Sequence, residues 1–185
     1  MRPELADTVA NPAYVLRTRR LGLRHLVPAD AAGLRPVFGD PSARQFYPAM
    51  GEPEALDRWV AWNLRNYAEF GFGLFAVELL EAGLFVGDAG ITFQTVEGRR
   101  IHEVGWHIHP EHRNRGYASE AGAATLAYAF TSLGAPIVGS IVDPANGASR
   151  RVAARVHGAC RWFEGRSGRM LLYYTPRAEE PDEAS

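Results

Sequence analysis

The feature that most constrains the fold of this chain is a short basic loop between two different sequence patterns. The loop, Arg113-Asn-Arg-Gly-Tyr-Ala118, follows a predicted strand, Glu103-Val-Gly-Trp-His-Ile-His109, which is closed by Pro110. An alanine-rich segment with helical periodicity, Ser119 to Leu133, comes after the loop. The first N–H groups of a helix have no partner within the helix, so a strand, a loop with a glycine and a helix start form an anion-binding site. The pattern predicts a phosphate or pyrophosphate ligand.

Two common phosphate-binding loops do not match the residues present. A Walker A loop requires a lysine, and all 20 basic residues of this chain are arginines. A dinucleotide fingerprint requires G-x-G-x-x-G opening a helix within a parallel unit, and no segment supplies it. What remains is R-x-x-G-x-A, in which Gly116 and the small Ala118 allow the backbone to approach a ligand closely.

Three motifs, in chain order, resemble one family. Leu16-Arg-Thr-Arg-Arg-Leu-Gly-Leu-Arg-His-Leu26, with Asp30-Ala31, resembles L-x-T-x-R-L-x-L-R-x-L…D-A. The run Glu103-Val-Gly-Trp-His-Ile-His-Pro-Glu-His-Arg-Asn-Arg-Gly-Tyr-Ala-Ser-Glu-Ala121 resembles E-I-G-Y-x-L-x-P-E-x-R-G-K-G-Y-A-T-E-A. Val142-Asp-Pro-Ala-Asn-Gly-Ala-Ser-Arg-Arg-Val152 resembles V-x-x-x-N-x-x-S-x-x-V. The family is the GNAT N-acetyltransferase superfamily, in its ribosomal-protein-alanine N-acetyltransferase branch.

The order of strand and helix patterns predicts an α/β (α+β) fold. Strands are expected at 19–27, 74–80, 84–94, 103–109, 137–142 and within 161–175, and helices at 29–38, 52–70, 119–133 and 148–157. The resemblance implies the GNAT acyl-CoA N-acyltransferase fold, a mixed central sheet of six to seven strands flanked by four helices. We expect the domain at 14–177, a flexible N-terminal tail at 1–13 and a flexible acidic C-terminal tail at 178–185.

Composition excludes several classes of protein. A hydrophobic fraction of 46% and a charged fraction of 22% are those of an ordinary globular domain, and a net charge of −1 argues against a nucleic-acid partner. The single cysteine, Cys160, excludes an internal disulfide framework and a multi-cysteine metal site, and we expect it to be buried. No apolar run approaches the ~20 residues of a membrane span, and no signal-peptide core is visible. We therefore expect a cytoplasmic protein without a membrane partner.

The resemblance implies that acetyl-CoA, with no metal, donates an acetyl group to an amine that attacks directly in a ternary complex. The amine must first lose a proton, and the leaving thiolate must gain one. Glu103 matches the strand glutamate of the family and is the predicted general base, acting through water; its alternative role is that of a structural carboxylate. His107 shares its strand face and is the rival base, because histidine side chains titrate near neutrality.

The resemblance also implies the residues that contact the donor. The loop residues expected at the pyrophosphate are Arg113, Asn114, Arg115, Gly116, Tyr117 and Ala118, and those expected to offer main-chain groups to the pantetheine arm are Trp106, His107 and Ile108. By local chemistry alone, Asn146 is an N-cap and Ser149 the third residue of the last helix. By resemblance, Asn146 also bonds the pantetheine and Ser149 is the acid that protonates the thiolate, with Tyr173 and Tyr174 as alternative donors.

The acceptor is expected to be a protein or peptide N-terminus or a small-molecule amine. In this fold it is held by the first helices and by the segment from Phe38 to Met50, whose Gln45, Phe46, Tyr47 and Met50 predict a partly aromatic pocket. The competing function is a non-catalytic acyl-CoA-binding or regulatory module with the same fold. We expect a monomer or a homodimer.

Overall fold

The computed structural model describes residues 13–165 and 168–178. Eight strands within these ranges form one sheet in the order β1-β2-β3-β4-β5-β6-β8-β7. The strands are β1 (Tyr14–Arg17), β2 (Leu21–His25), β3 (Leu74–Leu79), β4 (Leu84–Val96), β5 (Arg99–Ile108), β6 (Ile137–Val142), β7 (Ala159–Gly165) and β8 (Gly168–Pro176). The helices are α1 (Asp30–Gly39), α2 (Pro41–Arg44), α3 (Ala55–Phe70), α4 (Tyr117–Thr131) and α5 (Gly147–Val156), with 3-10 turns at Pro48–Gly51 and Pro110–His112.

The sheet opens between its only two parallel neighbours in the described chain, β5 and β6. These strands pair at two positions, His102 with Val138 and Glu103 with Gly139. On its other side β5 stays paired with β4 as far as Ile108. The β6-facing edge of β5 beyond Glu103 therefore has no neighbouring strand, and a gap opens toward the carboxyl end of β5. Ligands of open α/β sheets bind at such strand ends.

Helices cover both faces of the sheet, as the alternating side chains of β3 show. Phe75 and Val77 belong to a buried cluster with Ala121 of α4. Ala76, between them in sequence, belongs to a different cluster with Leu34 of α1 and Val60 of α3. Successive side chains of a strand point to opposite faces. Helix α4 therefore covers one face, and α1 and α3 cover the other.

The predicted fold class is confirmed, while the counts of strands and helices were too low. The strand expected at 19–27 forms as β2, and β1 was missed; the two strands are joined by a turn in which the Thr18 N–H donates to the Leu21 carbonyl at 2.9 Å. Helix α2 is the additional helix, because Pro41 suits its first turn and Asp40 accepts a bond from the Ser42 N–H. The arginines between the two strands gave no signal of a turn.

The flexible tails predicted at 1–13 and 178–185 lie outside the described residues, except for Ala13 and Ala178. Cys160 was expected to be buried and is exposed, because β7 is an edge strand with a neighbour on one side. No helix in the described ranges is long and apolar enough to cross a membrane.

Candidate active site

A cavity of about 500 Å³ lies at the gap between β5 and β6. Its walls come from four parts of the chain: the end of β5, the loop and first turn of α4, the start of α5, and the segment from α1 to Tyr47. The sheet fixes the first wall, and three separate helix ends supply the others. The cavity thus joins the predicted donor residues to the predicted acceptor segment.

One end of the cavity is formed by the first turn of α4. Gly116 precedes the helix with φ of 83°, in the left-handed region that glycine adopts without strain. The N–H groups at the start of a helix lack partners within it, and Gly116, Tyr117, Ala118 and Ser119 all line the cavity. A Cβ built on Gly116 would contact only Arg20 Nη2, at 3.3 Å, so the space before the helix is open. This geometry is that of an anion-binding site.

A network of hydrogen bonds fixes this helix start to the beginning of the sheet. One Glu120 oxygen accepts bonds from Thr18 Oγ1 at 2.6 Å and the Arg20 N–H at 2.9 Å, and the other accepts from Arg20 Nε at 2.7 Å. Arg20 Nη1 also donates to the Arg115 carbonyl at 3.0 Å. Arg115 therefore supports the loop through its main chain, and it does not line the cavity.

Arg113, at the start of the loop, connects the donor side to the acceptor side. Its Nη1 donates to Asp40 Oδ1 at 2.9 Å and to Ser42 Oγ at 2.8 Å, and its Nε donates to the Ile108 carbonyl at 3.0 Å. Hydrogen bonds from Ser42, and then from Arg113, hold the pKa of Asp40 below its usual value. The guanidinium group therefore fastens α2 to the end of β5 while still lining the cavity.

The start of α5 forms the wall across from β5. Asn146 caps this helix, with its Oδ1 accepting the Ser149 N–H at 3.0 Å, as its local sequence predicted. Both residues line the cavity, and the Ser149 hydroxyl makes no hydrogen bond to another described residue. Arg151 and Arg155 line the same wall. The hydroxyl is therefore available to a ligand.

Glu103 lies where β5 and β6 part, and it is absent from the cavity wall. Its Oε1 accepts the Ile141 N–H at 3.1 Å and its Oε2 accepts from Thr92 Oγ1 at 3.3 Å. Desolvation by the surrounding chain raises the pKa of this carboxyl group above its usual value. Both oxygens thus bind the protein itself.

A buried carboxylate that sequence reasoning missed lies behind His107. Asp88 is fully buried on β4, directly opposite His107 on β5. Its Oδ1 lies 2.6 Å from His107 Nδ1, and its Oδ2 accepts from Trp59 Nε1 at 2.8 Å. The available signal was a lone charge inside the apolar pattern Leu84-Phe-Val-Gly-Asp-Ala-Gly-Ile91. His107 itself lines the cavity.

A group of potential metal ligands lies beside the loop in the described chain. His109, Glu111 and His112 place ligand atoms within 4.8 Å of one another. However, His109 Nδ1 accepts a hydrogen bond from the Glu111 N–H at 3.3 Å, so this lone pair already caps the 3-10 turn. The cluster has the geometry of a capped turn.

Most of the residues predicted from the sequence meet at this cavity. Those that line it are Trp106, His107, Ile108, Arg113, Asn114, Gly116, Tyr117, Ala118, Asn146 and Ser149. Arg115 and Glu103 do not line it, nor do the alternative donors Tyr173 and Tyr174. The acceptor segment contributes Gln45, Phe46 and Tyr47 to the wall, whereas Met50 lies in a separate shallow groove with Trp59 and Trp62.

Comparison with known proteins assigns this architecture to a family. The family model of the acetyltransferase (GNAT) domain matches residues 20–158. YkkB of Bacillus subtilis, an uncharacterized protein, is 34% identical over 147 residues, which cover 79% of this chain and 86% of YkkB. The crystal structure of an acetyltransferase from Agrobacterium tumefaciens strain C58 is 30% identical with a TM-score of 0.77, covering 96% of this chain and all of that one.

A third relative carries coenzyme A in its structure. RimL, a ribosomal L7/L12 α-N-protein acetyltransferase, superposes with a TM-score of 0.67 at 15% identity, covering 88% of this chain and 97% of that chain. At this identity the likeness shows the fold alone. The chain belongs to the GNAT acetyltransferase family. It is an acyltransferase, and acyl-CoA donors and amine acceptors are those of its family.

Proposed function

We propose that this chain is an acetyl-CoA-dependent N-acetyltransferase in which a primary amine attacks the donor directly within a ternary complex. The observation that carries the proposal is the continuous cavity of about 500 Å³. It joins an anion-binding helix start at Gly116 to an aromatic segment at Phe46 and Tyr47. Such a cavity can hold both substrates at once.

The donor end of the cavity fits a coenzyme A thioester. The open space at Gly116, before the first turn of α4, suits a pyrophosphate, because a helix N-terminus favours negative charge. The unpaired edge of β5 beyond Glu103 offers main-chain groups to the amide-bearing pantetheine arm. Asn146 and Ser149 face that edge across the cavity. When bound, acetyl-CoA supplies the activated acetyl group and a thiol leaving group.

The acceptor end of the cavity is enclosed by aromatic side chains, and the buried Asp88 carboxylate lies behind His107. Phe38 and Tyr47 pack around the His107 ring, with centroid distances of 4.8 and 5.0 Å. Burial raises the pKa of the Tyr47 hydroxyl, with further contributions from Glu103 and Asp88, so this phenol stays neutral. An aromatic wall suits an ammonium group, which cation–π interactions attract.

Ser149 is our candidate for the group that returns a proton to the leaving thiolate. It lies in the first turn of α5, and its own N–H is already bound to Asn146, so its hydroxyl alone faces the cavity. A serine hydroxyl is a weak acid, and it therefore acts by relaying a proton rather than by storing one. The proton taken from the amine is accepted by Glu103 acting through water or by His107.

The proposal is tested by following thiol release from acetyl-CoA in the presence of a panel of primary amines. The panel contains peptides with N-terminal alanine or serine, because RimL acts on a protein N-terminus, together with amino acids, polyamines and aminoglycosides. We expect acetylation of at least one class, with intersecting initial-rate plots and no acetylated enzyme by mass spectrometry. Tight acetyl-CoA binding without turnover across the panel would indicate a non-catalytic binding module.

A further inference from the structure

We propose that His107 is the general base that deprotonates the acceptor amine, and that Asp88 and Trp59 are positioning residues which orient its ring. This inference rests on the proposed function, since it assigns the proton acceptor of that reaction. It replaces the family-based expectation for Glu103 with a group that the cavity can reach.

The hydrogen bonds of the Asp88 carboxylate fix the orientation of the imidazole. An ionised carboxylate only accepts hydrogen bonds, so the His107 nitrogen at 2.6 Å, Nδ1, carries the hydrogen. The other ring nitrogen, Nε2, then holds the lone pair. Nε2 has no hydrogen-bond partner among the described residues. It is also not fully enclosed by them, because His112 Nδ1 is the one side-chain nitrogen or oxygen in the described chain that is both enclosed and without a hydrogen bond. The result is a base on the cavity wall whose unbonded ring nitrogen is accessible.

Trp59 gives Asp88 its own orientation. The indole N–H donates to Asp88 Oδ2 at 2.8 Å, leaving Oδ1 for His107. The Trp59 ring also lies against the His107 ring, with centroids 5.6 Å apart and planes at 77°. Asp88 is fully buried, and a hydrogen bond to each of its two oxygens fixes the orientation of its carboxyl group. The arrangement runs from α3 through β4 to β5 and ends at the cavity.

Three ionisable side chains lie around the His107 ring. Asp88 from β4 is in direct contact, Glu103 lies on the same face of β5, and Tyr47 packs edge-on from the segment after α2. Tyr47 stays neutral because burial raises its pKa. The remaining neighbours, Phe38 and Trp59, are aromatic rings without acid–base chemistry.

Acetyl transfer by this route removes two protons from the acceptor ammonium. His107 Nε2 takes one proton from the acceptor ammonium: an N–H bond of the substrate breaks, an Nε2–H bond forms, and the amine gains the lone pair with which it attacks. As the amide forms and the carbon–sulfur bond breaks, the amine loses a second proton, which ends on the departing thiolate. His107 then releases its proton to water. The net products are the acetylated amine, free coenzyme A and one proton.

Glu103 is less well placed for this step. Its two oxygens accept bonds from Ile141 and Thr92, and it is absent from the cavity wall. A water molecule would have to join it to the amine, whereas His107 borders the cavity directly. General bases act at hydrogen-bond distance or through one water, so the direct contact is favoured. Its hydrogen bonds assign Glu103 a structural role at the point where β5 and β6 separate.

The kinetic experiment compares three glutamine variants, using the best acceptor found in the panel. We expect His107→Gln to lower kcat by roughly 10²–10⁴-fold with little change in acetyl-CoA affinity. The wild-type kcat should reach a plateau with rising pH, while that of His107→Gln keeps rising because solvent must supply the free amine. Glu103→Gln should keep the wild-type pH profile. His102→Gln is the matched control, since this β5 histidine packs against Phe72 and Phe93, away from the cavity.

A second readout needs no turnover. In ¹⁵N NMR spectra of the free wild-type protein, the neutral His107 ring should carry its hydrogen on Nδ1. Asp88→Asn should disturb this tautomer, because one of the two accepting oxygens becomes an NH2 group, which cannot accept a hydrogen bond from His107 or Trp59. Adding Trp59→Phe removes one of those donors, and the double variant should recover the Nδ1–H form and part of the activity. A merely structural pair would show no such recovery.

The outcomes separate the two proposals. Absence of acetyl transfer from the wild-type protein to any amine would overturn the proposed function, while the tautomer measurement would still report on the pair. Wild-type activity and pH profile in His107→Gln, or loss of the pH dependence in Glu103→Gln alone, would overturn the assignment of His107. A reversed tautomer in the wild-type protein would do the same.

Discussion

The Glu103 carboxylate accepts a hydrogen bond from the Ile141 N–H at 3.1 Å, at the point where β5 and β6 stop pairing. The side chain therefore supplies the acceptor that a continued strand would have supplied through its main chain. The contact lies next to the gap in which the cavity forms. A carboxylate at this position therefore fixes the point along β5 at which the two strands separate.

Glu103→Gln should stabilise the protein at neutral pH. Desolvation raises the pKa of Glu103 in the folded state. The neutral carboxyl group therefore makes its full contribution to the free energy of unfolding below the pKa of the unfolded state. That contribution is lost as the pH rises through the pKa of the folded state. Glutamine keeps an oxygen for Ile141 and carries no charge. Thermal unfolding between pH 4 and 8 should show a higher Tm for the variant at pH 8, with the difference shrinking toward pH 4. A uniform loss of stability would contradict the role of the charge.

Asp40→Asn should weaken acceptor binding more than donor binding. Asparagine can still cap α2 through its oxygen, but the ion pair with Arg113, at 2.9 Å, is lost. This pair fastens the acceptor segment to the donor loop, and partly exposed pairs contribute up to about 1 kcal/mol. We therefore expect the acceptor KM to rise by roughly two- to fivefold, measured at saturating acetyl-CoA, with little change in acetyl-CoA affinity.

A matched control for Asp40→Asn is Glu52→Gln, which also removes one negative charge and one arginine partner. The Glu52–Arg58 pair spans 3.1 Å and its side chains are mostly exposed. Both members lie outside the wall of the main cavity. An equal rise of the acceptor KM in both variants would show that net charge, and not the Asp40–Arg113 ion pair, controls acceptor binding.

The geometry of the proposed donor half of the site could be predicted from the sequence because its hydrogen bonds are local. A cap such as Asn146 and a loop glycine such as Gly116 act on groups within a few residues, so the order of residue types specifies their geometry. The strand and helix patterns specified the fold class for the same reason. Edge position is a property of the whole sheet, and the exposure of Cys160 therefore had no local signal.

The acid–base half of the site depends on contacts between distant segments. Asp88, Trp59 and His107 come from β4, α3 and β5, and strand register alone brings the first and last together. The sequence placed Glu103 and His107 on one face but could not show which of them borders the cavity. That difference follows from the point at which β5 and β6 separate, which is set by packing across the sheet.

His157 should make the protein sensitive to acid. The residue is buried, with Nε2 3.0 Å from Ser140 Oγ and Nδ1 3.2 Å from Thr175 Oγ1. The Ser140 hydroxyl donates to the Val104 carbonyl at 2.6 Å, so its oxygen accepts a hydrogen bond from Nε2, which carries a hydrogen. Desolvation lowers the pKa of His157 to about 4. The neutral ring thus fits the folded state and the charged ring does not.

The stability that depends on neutral His157 is present above the unfolded pKa of about 6.5 and is lost as the pH falls toward 4. The full loss amounts to roughly 3 kcal/mol. Denaturant unfolding at pH 7, 5.5 and 4.5 should therefore show a smaller acid-induced loss in His157→Gln than in the wild-type protein. Parallel curves for the two proteins would assign the acid sensitivity to other groups.

Gly116→Glu should abolish donor binding without selective damage to the fold. The new side chain would place bulk and negative charge in the open space before α4, where the pyrophosphate is proposed to bind. We expect coenzyme A affinity to fall by roughly 10²-fold or more, equivalent to about 3 kcal/mol, in a calorimetric titration. Gly134→Glu is the matched control: its φ is 63° against 83° for Gly116, and an added Cβ meets nothing within 4 Å at Gly134 and only the end of the Arg20 side chain, at 3.3 Å, at Gly116. Left-handed backbone costs both variants about 1–2 kcal/mol, so their Tm values should fall together while only Gly116→Glu loses coenzyme A. Normal affinity in a folded Gly116→Glu variant would place the pyrophosphate elsewhere.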